Sequence, residues 1–590
     1  MNRELIRARS RQAFLFVLIG VAMLAIIGRL VYWQIGMHAA LAARASQEHE
    51  RPFVVPAGRG SIYDSNGKLL ALNITEDAIE ADPQAIKQEE GQNPGSFDQT
   101  LNHLAAILQV SSDVLQPQLQ LTQNGQPVTF TYLHDANNIK IHATQQQSDQ
   151  INQLLNHNQL WGIGLLPESW RVYLDGDLAA QLLGFVRQDN GEGQYGLEKY
   201  YNTLLAGKPG KLITDTDVSG NPLPIGQQVW QPPVNGADLK LTIDANVQLT
   251  VEQMLHDTIV QHQADGGSVI IVNPKTGAII AMASEPGFDP NNYSDVTSYQ
   301  LFSNPAISSI YDPGSTMKAV TMAAGIDLHL ITPDTTLDDP GYYTLDNGIT
   351  LHNFDGVNYG QETMTQVLQH SANVGAIWVA LTRLHANNFY HYLNQFGFGA
   401  PTGVDLPTED PGQVASPDQR DDLTLAENSF GESIGVTPLQ MVMAYAALAN
   451  GGLLMQPYVV ASITQNGHVT TTTPHSARQV VSPQTAQTVT QMLVQSAIDG
   501  EASQALVPGY QIAAKTGTST PDPDAPDTTF ASVAGYAPAS NPQFVMLVKI
   551  DHPKTSIFGG LVAGPLWHDI AAWLFHYYRI APDQPTGKSS

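Results

Sequence analysis

The sequence predicts an α+β protein: a layered domain carried behind one N-terminal membrane helix. Three observations lead there. An apolar run opens the chain behind a cluster of arginines. A loop-rich stretch with hairpin signals follows. Beyond it, strand patterns stand at both ends of a long segment whose middle is helical, and such a chain closes one antiparallel sheet over inserted helices. The 590 residues are enough for about three or four domains. The hydrophobic fraction of 42% is ordinary for a globular core.

The apolar run extends from Ala13 to Ile27, interrupted only by Gly20, and continues past Gly28 and Arg29 through Leu30, Val31, Tyr32, Trp33 and Ile35. As a helix it is long enough for a hydrocarbon layer of roughly 30 Å. Arg3, Arg7, Arg9 and Arg11 precede it against a single Glu4. Basic flanks stay cytoplasmic, which predicts a single-pass plasma-membrane protein with residues 1–12 inside, an anchor at 13–35 and the remainder outside. Ala40-Leu41-Ala42 and Ala43-Arg44-Ala45 have the small residues of a cleavage site. The apolar region exceeds the ~7–15 residues of a cleavable signal, so the segment reads as a retained anchor.

Residues 36–235 read as a mixed, loop-rich module. Asn66-Gly67 between short apolar runs is a hairpin signal. Residues 85–160 are rich in Gln and Asn and predict exposed helices, with a loop at 91–95. A boundary falls at Pro232-Pro233-Val234-Asn235-Gly236. After it come a strand at 239–243 and an amphipathic helix at 247–262. Strands at 268–272 and 278–283 are joined by Asn273-Pro274-Lys275-Thr276-Gly277. Helical patterns fill 315–450. Strands return at 511–514, 530–536 and 543–550, and a helix at 566–578 closes the module.

Composition excludes several functions. The chain has no cysteine, which removes disulfides, thiolate metal sites and a cysteine nucleophile. Its formal charge of -27 lacks the basic footprint that nucleic acid requires. The 18 histidines form no His-Glu-x-x-His and no tight cluster, so no metal site is expected.

Three short motifs carry chemistry. Ser315-Thr316-Met317-Lys318 follows Tyr311-Asp312-Pro313-Gly314, where a loop ends and a helix begins. A helix start offers free N–H groups and a positive dipole end for a developing oxyanion. Lys318 falls on the same face three residues on. It can take a proton from Ser315 only when neutral, so the site must depress a pKa of about 10.4; Met317, Val320 and Met322 and a second nearby cation are the means available. Ser371-Ala372-Asn373 offers a hydroxyl for proton relay and an amide for a substrate carbonyl. Lys515-Thr516-Gly517-Thr518 follows a predicted strand and supplies a cation and hydroxyls for a carboxylate. Gly517 lets a substrate backbone approach. Each motif alone is common by chance. Their order within one domain is the motif set of penicillin-binding proteins and related β-lactamases.

The chain resembles a class B penicillin-binding protein over nearly its whole length. Arg59-Gly60-Ser61-Ile62-Tyr63-Asp64, Arg171-Val172-Tyr173-Leu174-Asp175-Gly176 and Gly196-Leu197-Glu198-Lys199-Tyr200-Tyr201 resemble the three motifs of that family's pedestal, with Leu174 where Pro is usual. β-Lactamases lack these. Ser429-Phe430-Gly431 with Val436-Thr437-Pro438-Leu439-Gln440, and Gly184-Phe185-Val186, resemble the division-specific, septal branch. The resemblance implies an elongated, dimerisation-type pedestal at 36–235, a transpeptidase domain at 236–580 and a tail at 581–590. It implies that Ser315 attacks the D-Ala–D-Ala bond of a peptidoglycan stem peptide, that Lys318 is its base, and that Ser371 relays a proton. Asn373, Lys515, Thr516, Gly517 and Thr518 bind substrate, the N–H groups of Ser315 and Thr518 hold the oxyanion, β-lactams are trapped as acyl-enzymes, and no cofactor is needed. The interval before the catalytic domain holds the pedestal motifs and has no room for a glycosyltransferase domain. A separate SEDS-type membrane glycosyltransferase and divisome proteins are therefore the implied partners.

Competing readings are a D,D-carboxypeptidase or β-lactam-sensing hydrolase, and a non-catalytic divisome scaffold. The intact motif residues oppose the scaffold. Glu409, 38 residues past Ser371, stands roughly where class A β-lactamases carry a deacylating glutamate, but Pro407-Thr408-Glu409-Asp410-Pro411 reads as a loop. Gly191-Glu192-Gly193-Gln194-Tyr195-Gly196 has the spacing of a dinucleotide loop without the βαβ context that such a site needs.

Overall fold

The computed structural model describes residues 2–41, 50–215, 228–520 and 528–584. Ala43-Arg44-Ala45 and the last six residues of the expected tail lie outside them. The chain forms two compact units, residues 1–58 with 207–236 and residues 59–206 with 237–590.

In the first unit the helix Asn2–Val31 runs into a π turn, Tyr32–Gly36. Its apolar portion, Ala13–Gly36, has 24 residues, none of them buried. At 1.5 Å per residue that length crosses a bilayer. The strands Glu50–Val55, Gly210–Asp215 and Gln228–Gln231 form an antiparallel sheet in that order.

The second unit is built around a five-stranded antiparallel sheet. Its order is Ile279–Glu285, Gly266–Val272, Phe544–Asp551, Phe530–Ala537 and Ala513–Ser519, so the last is an edge strand. Successive side chains alternate between faces. Val269 and Ile271 pack with Val247, Val251 and Trp567 of the helices Ala245–His262 and Gly559–Tyr577. Ile270 and Val272 belong to the opposite core, with Leu439, Val442 and Tyr445 of Pro438–Ala449. Covering on both faces explains why these strands read as continuous apolar runs.

The structure corrects several expectations. The strand expected at 511–514 is Ala513–Ser519 and carries the Lys-Thr-Gly motif within it rather than after it. The closing helix begins at Gly559 and accommodates Pro565, because packing against the sheet outweighs local propensity. The segment 315–450 is not helical throughout: Thr336–Asp339 pairs with Gly360–Thr363, and Tyr342–Thr344 with Thr350–His352. Helices at 83–156 enclose their own core of Leu101, Leu104, Leu115 and Ile151, so this region is not simply exposed.

A second sheet runs along Val460–Gln465, Asp238–Leu241, Ile62–Tyr63 and Leu69–Ala81, and the last pairs over eleven positions with Ile163–Tyr173. That register brings the three pedestal-type motifs together. Glu198, fully buried, accepts from Arg59 Nε at 2.8 Å and Arg171 Nε at 2.7 Å, and Tyr173 Oη donates to it at 3.3 Å. Arg171 also donates to the Gly60 carbonyl at 2.8 Å. Burial pushes the Glu198 carboxyl up, but Arg171 and Arg59 outweigh it and hold it below its usual value. Gly193 of the dinucleotide-like run packs so closely that a Cβ would lie 1.9 Å from the Glu198 carbonyl oxygen. Its glycine serves this junction, and no βαβ unit surrounds it.

Candidate active site

Ser315 lies in a short 3-10 turn, Gly314–Met317, that leads directly into the helix Lys318–Asp327. Gly314 has φ 56°, and a Cβ there would lie 2.6 Å from the Thr518 carbonyl oxygen. The Ser315 turn is thus laid against the edge strand. Gly517 serves the same contact: its missing side chain admits the Pro313 carbonyl, 2.5 Å from an ideal Cβ. Gly517 is therefore required by the packing of the strand itself, whatever approaches the strand's open edge.

The structure brings the three motifs together. Lys318 Nζ lies 2.9 Å from Ser315 Oγ and 2.8 Å from Asn373 Oδ1, and also donates to the Ser371 carbonyl. Lys515 Nζ donates to Ser371 Oγ at 2.9 Å. Ser371 occupies the turn between Met364–Gln369 and Asn373–Val379 with φ 58°, a left-handed conformation uncommon for a residue with a side chain. Asn373 Nδ2 donates to the His352 carbonyl at 3.0 Å. The hairpin that sequence patterns missed therefore positions a site residue. Thr518 Oγ1 accepts from the Gly559 N–H at 3.0 Å, and Thr516 Oγ1 donates to Glu501 Oε2 at 2.9 Å.

Both lysines are buried, at 0% and 1% exposure. Burial, and then the positive charge of Lys515, push Lys318 well below the usual lysine range. Lys515 is lowered by burial too, with Glu501 acting in the opposite direction. Glu501, then Glu432 and Glu362, act in the opposite direction on Lys318 without reversing its lowering. Burial raises Glu432 to about 7, with Asp312 and Glu427 adding to it. Burial and then Asp339 raise Glu362 to about 8. A neutral Lys318 has two N–H groups and one lone pair. Those match two acceptors, the Ser371 carbonyl and Asn373 Oδ1, and one donor, the Ser315 hydroxyl.

An open cleft is lined by Ser315, Ser371, Asn373 and Thr518 together with Glu432 and Glu501. Phe354 and Phe558 meet at its rim, ring centroids 5.8 Å apart. His370 also lines it, with Nδ1 3.1 Å from Glu362 Oε2. No sequence motif marks Glu432, Glu501, His370 or the rim aromatics. The one available signal was Asn347-Gly348 between Tyr342-Tyr343-Thr344 and Thr350-Leu351-His352, a hairpin turn overlooked among helical patterns. Glu409 is not in this cleft: it accepts from the N–H groups of Thr402 and Gly403, at 2.7 and 3.0 Å. Among the described residues, no cluster of His, Cys, Asp and Glu has the arrangement of a metal site.

Comparison with known proteins gives one consistent result. Residues 267–572 match the penicillin binding protein transpeptidase domain, and residues 54–241 the penicillin-binding protein dimerisation domain. Stage V sporulation protein D of Bacillus subtilis is 32% identical over 94% of this chain and 84% of its own length. Peptidoglycan D,D-transpeptidase FtsI of Escherichia coli is 30% identical over 98% of this chain and 93% of its own. Among solved structures, penicillin binding protein 3 from Mycobacterium tuberculosis, complexed with aztreonam, superposes with a TM-score of 0.67 at 29% identity, covering 91% of this chain and 100% of that one.

Proposed function

The chain belongs to the class B penicillin-binding proteins, and from that premise we propose which of its residues perform the reaction. Its activity is that of a serine-type peptidoglycan D,D-transpeptidase of septal wall synthesis, and β-lactams acylate it.

One observation supports the assignment above all: Lys318 Nζ stands 2.9 Å from Ser315 Oγ, with the buried Lys515 at Ser371 Oγ behind it. Neutral Lys318 takes the Ser315 proton as Oγ attacks the carbonyl carbon of the D-Ala–D-Ala bond. The N–H groups of Ser315 and Thr518 hold the oxyanion. The C–N bond breaks, and the departing D-Ala amine receives a proton through the Ser371 hydroxyl. Asn373 and Thr518 orient the donor peptide, and Lys515 with Thr516 receives its terminal carboxylate. In the second half, the amine of a neighbouring stem attacks the ester carbonyl and gives up a proton to Lys318, the bond between the acyl carbon and Ser315 Oγ breaks, and that proton passes to Oγ. Because Ala513–Ser519 is an edge strand, its free backbone groups can pair with an extended peptide.

The residues divide into a cytoplasmic tail at 1–12, an anchor at 13–35, a pedestal at 36–235, a catalytic domain at 236–580 and a tail at 581–590. The N-terminus is cytoplasmic and the catalytic domain extracytoplasmic. A SEDS-type membrane glycosyltransferase and divisome proteins complete the machinery. Gly20 and Gly28 on the anchor have nothing within 4 Å of an ideal Cβ, leaving small-residue positions open to a second helix. Labelling with fluorescent penicillin, followed by peptide mapping, tests the core of this reading. Wild type carries the adduct on Ser315 and Ser315→Ala carries none. An adduct on any other residue contradicts it.

A further inference from the structure

Glu501 is a carboxylate where the proposed chemistry requires a carboxylate-binding site. It opens the 3-10 turn Glu501–Ala505, immediately after the helix Pro483–Asp499. Its Oε2 accepts from Thr516 Oγ1 at 2.9 Å and lies 3.8 Å from Lys515 Nζ. These are the hydroxyl and the cation assigned above to the donor's terminal carboxylate. Glu501 also lines the cleft, and its side chain is 54% exposed, so it faces an incoming ligand. Asp355 and Glu432 line the same cleft, but of these three carboxylates only Glu501 is hydrogen-bonded to the Lys-Thr-Gly strand.

We propose that Glu501 is a specificity-determining residue, an internal carboxylate that occupies the Lys515–Thr516 clamp and discriminates against ligands bringing a second carboxylate to it. The proposal rests on the reading of Lys515 and Thr516 as that clamp. One ammonium compensates one carboxylate. A donor peptide or penicillin must therefore displace Glu501 from Thr516 or accept like-charge repulsion beside it. A ligand whose carboxyl is esterified brings no such charge.

The test compares benzylpenicillin with its methyl ester by the second-order rate of acylation, using the full-length protein. Glu501→Gln keeps the shape and removes the charge. Benzylpenicillin should then react about tenfold faster than with wild type, a factor set by ~1.4 kcal/mol, while the ester's rate stays unchanged. Thr516→Val checks the clamp itself and should slow benzylpenicillin more than the ester. If Thr516→Val is selective and Glu501→Gln changes both rates alike, or slows both, Glu501 has a positioning role and the proposal falls. If Thr516→Val is not selective, the clamp reading fails and takes the proposal with it. Thermal denaturation of each variant separates either result from misfolding.

Discussion

Of the places where this molecule buries charged groups, two use burial to opposite ends. At the junction of the pedestal-type motifs, Arg59 and Arg171 flank Glu198 with short hydrogen bonds. In the cleft, Lys318 and Lys515 share Ser371, and the carboxylate that reaches Lys515, Glu501, is half-exposed. Desolvation penalises the charged form in both. Opposite charges at the junction outweigh that penalty and keep Glu198 ionised. A like charge in the cleft adds to the penalty and drives the proton from Lys318. The same burial holds an ionised, paired carboxylate in one place and shifts a lysine toward its neutral form in the other, and the sign of the neighbour decides which.

The largest effect should follow from removing the base. Lys318→Arg retains a cation but cannot lose its proton at neutral pH. Acylation should fall by about 10²–10⁴-fold, with the thermal midpoint little changed. Comparable activity in this variant would break the comparison on the cleft side.

The junction should respond in stability rather than rate. Glu198→Ala leaves two buried guanidinium groups uncompensated, at a cost of about 3–5 kcal/mol. Denaturant unfolding should show that loss, while the fraction remaining folded acylates at the wild-type rate. The sign of its pH dependence is fixed as well. A carboxyl held below its ordinary 4.5 contributes stability that is present above that pH and is lost as the pH falls through the lowered value. Glu198→Gln should flatten that acid decline. A rate defect without a stability defect would mean that the junction is not a structural pin.

The smallest effect should come from Lys515→Arg. It keeps the cation that receives a carboxylate, so acylation by benzylpenicillin should drop by only about tenfold. A loss as severe as that of Lys318→Arg would show that the two lysines share one role.

What could be read from the sequence follows the same division. The sheet was legible because strands covered on both faces must be continuously apolar, as in Gly266–Val272. The Ser315, Ser371 and Lys515 motifs were legible because each carries its chemistry within four residues. Glu501 and Glu432 were not, since a lone glutamate gives no local pattern and its place in the cleft depends on long-range packing. Gly517 was legible only in part, for a related reason. Its permissiveness was visible, but the group that fills the space, the Pro313 carbonyl, lies about 200 residues away. The Tyr342–Thr344 hairpin was lost among helices because its strands are short and mostly exposed.

The central claim is that burial together with the charge of Lys515 keeps Lys318 neutral. The acid limb of the pH profile for benzylpenicillin acylation tests it most directly. Acylation needs neutral Lys318, so the rate falls as the pH drops through that lysine's lowered pKa. Lys515→Met removes the like charge and should raise the pKa, moving the acid limb to higher pH whatever the change in maximal rate. Lys515→Arg keeps the charge and should leave the limb where it is in wild type. A limb that stays put in Lys515→Met, or moves to lower pH, would contradict the account.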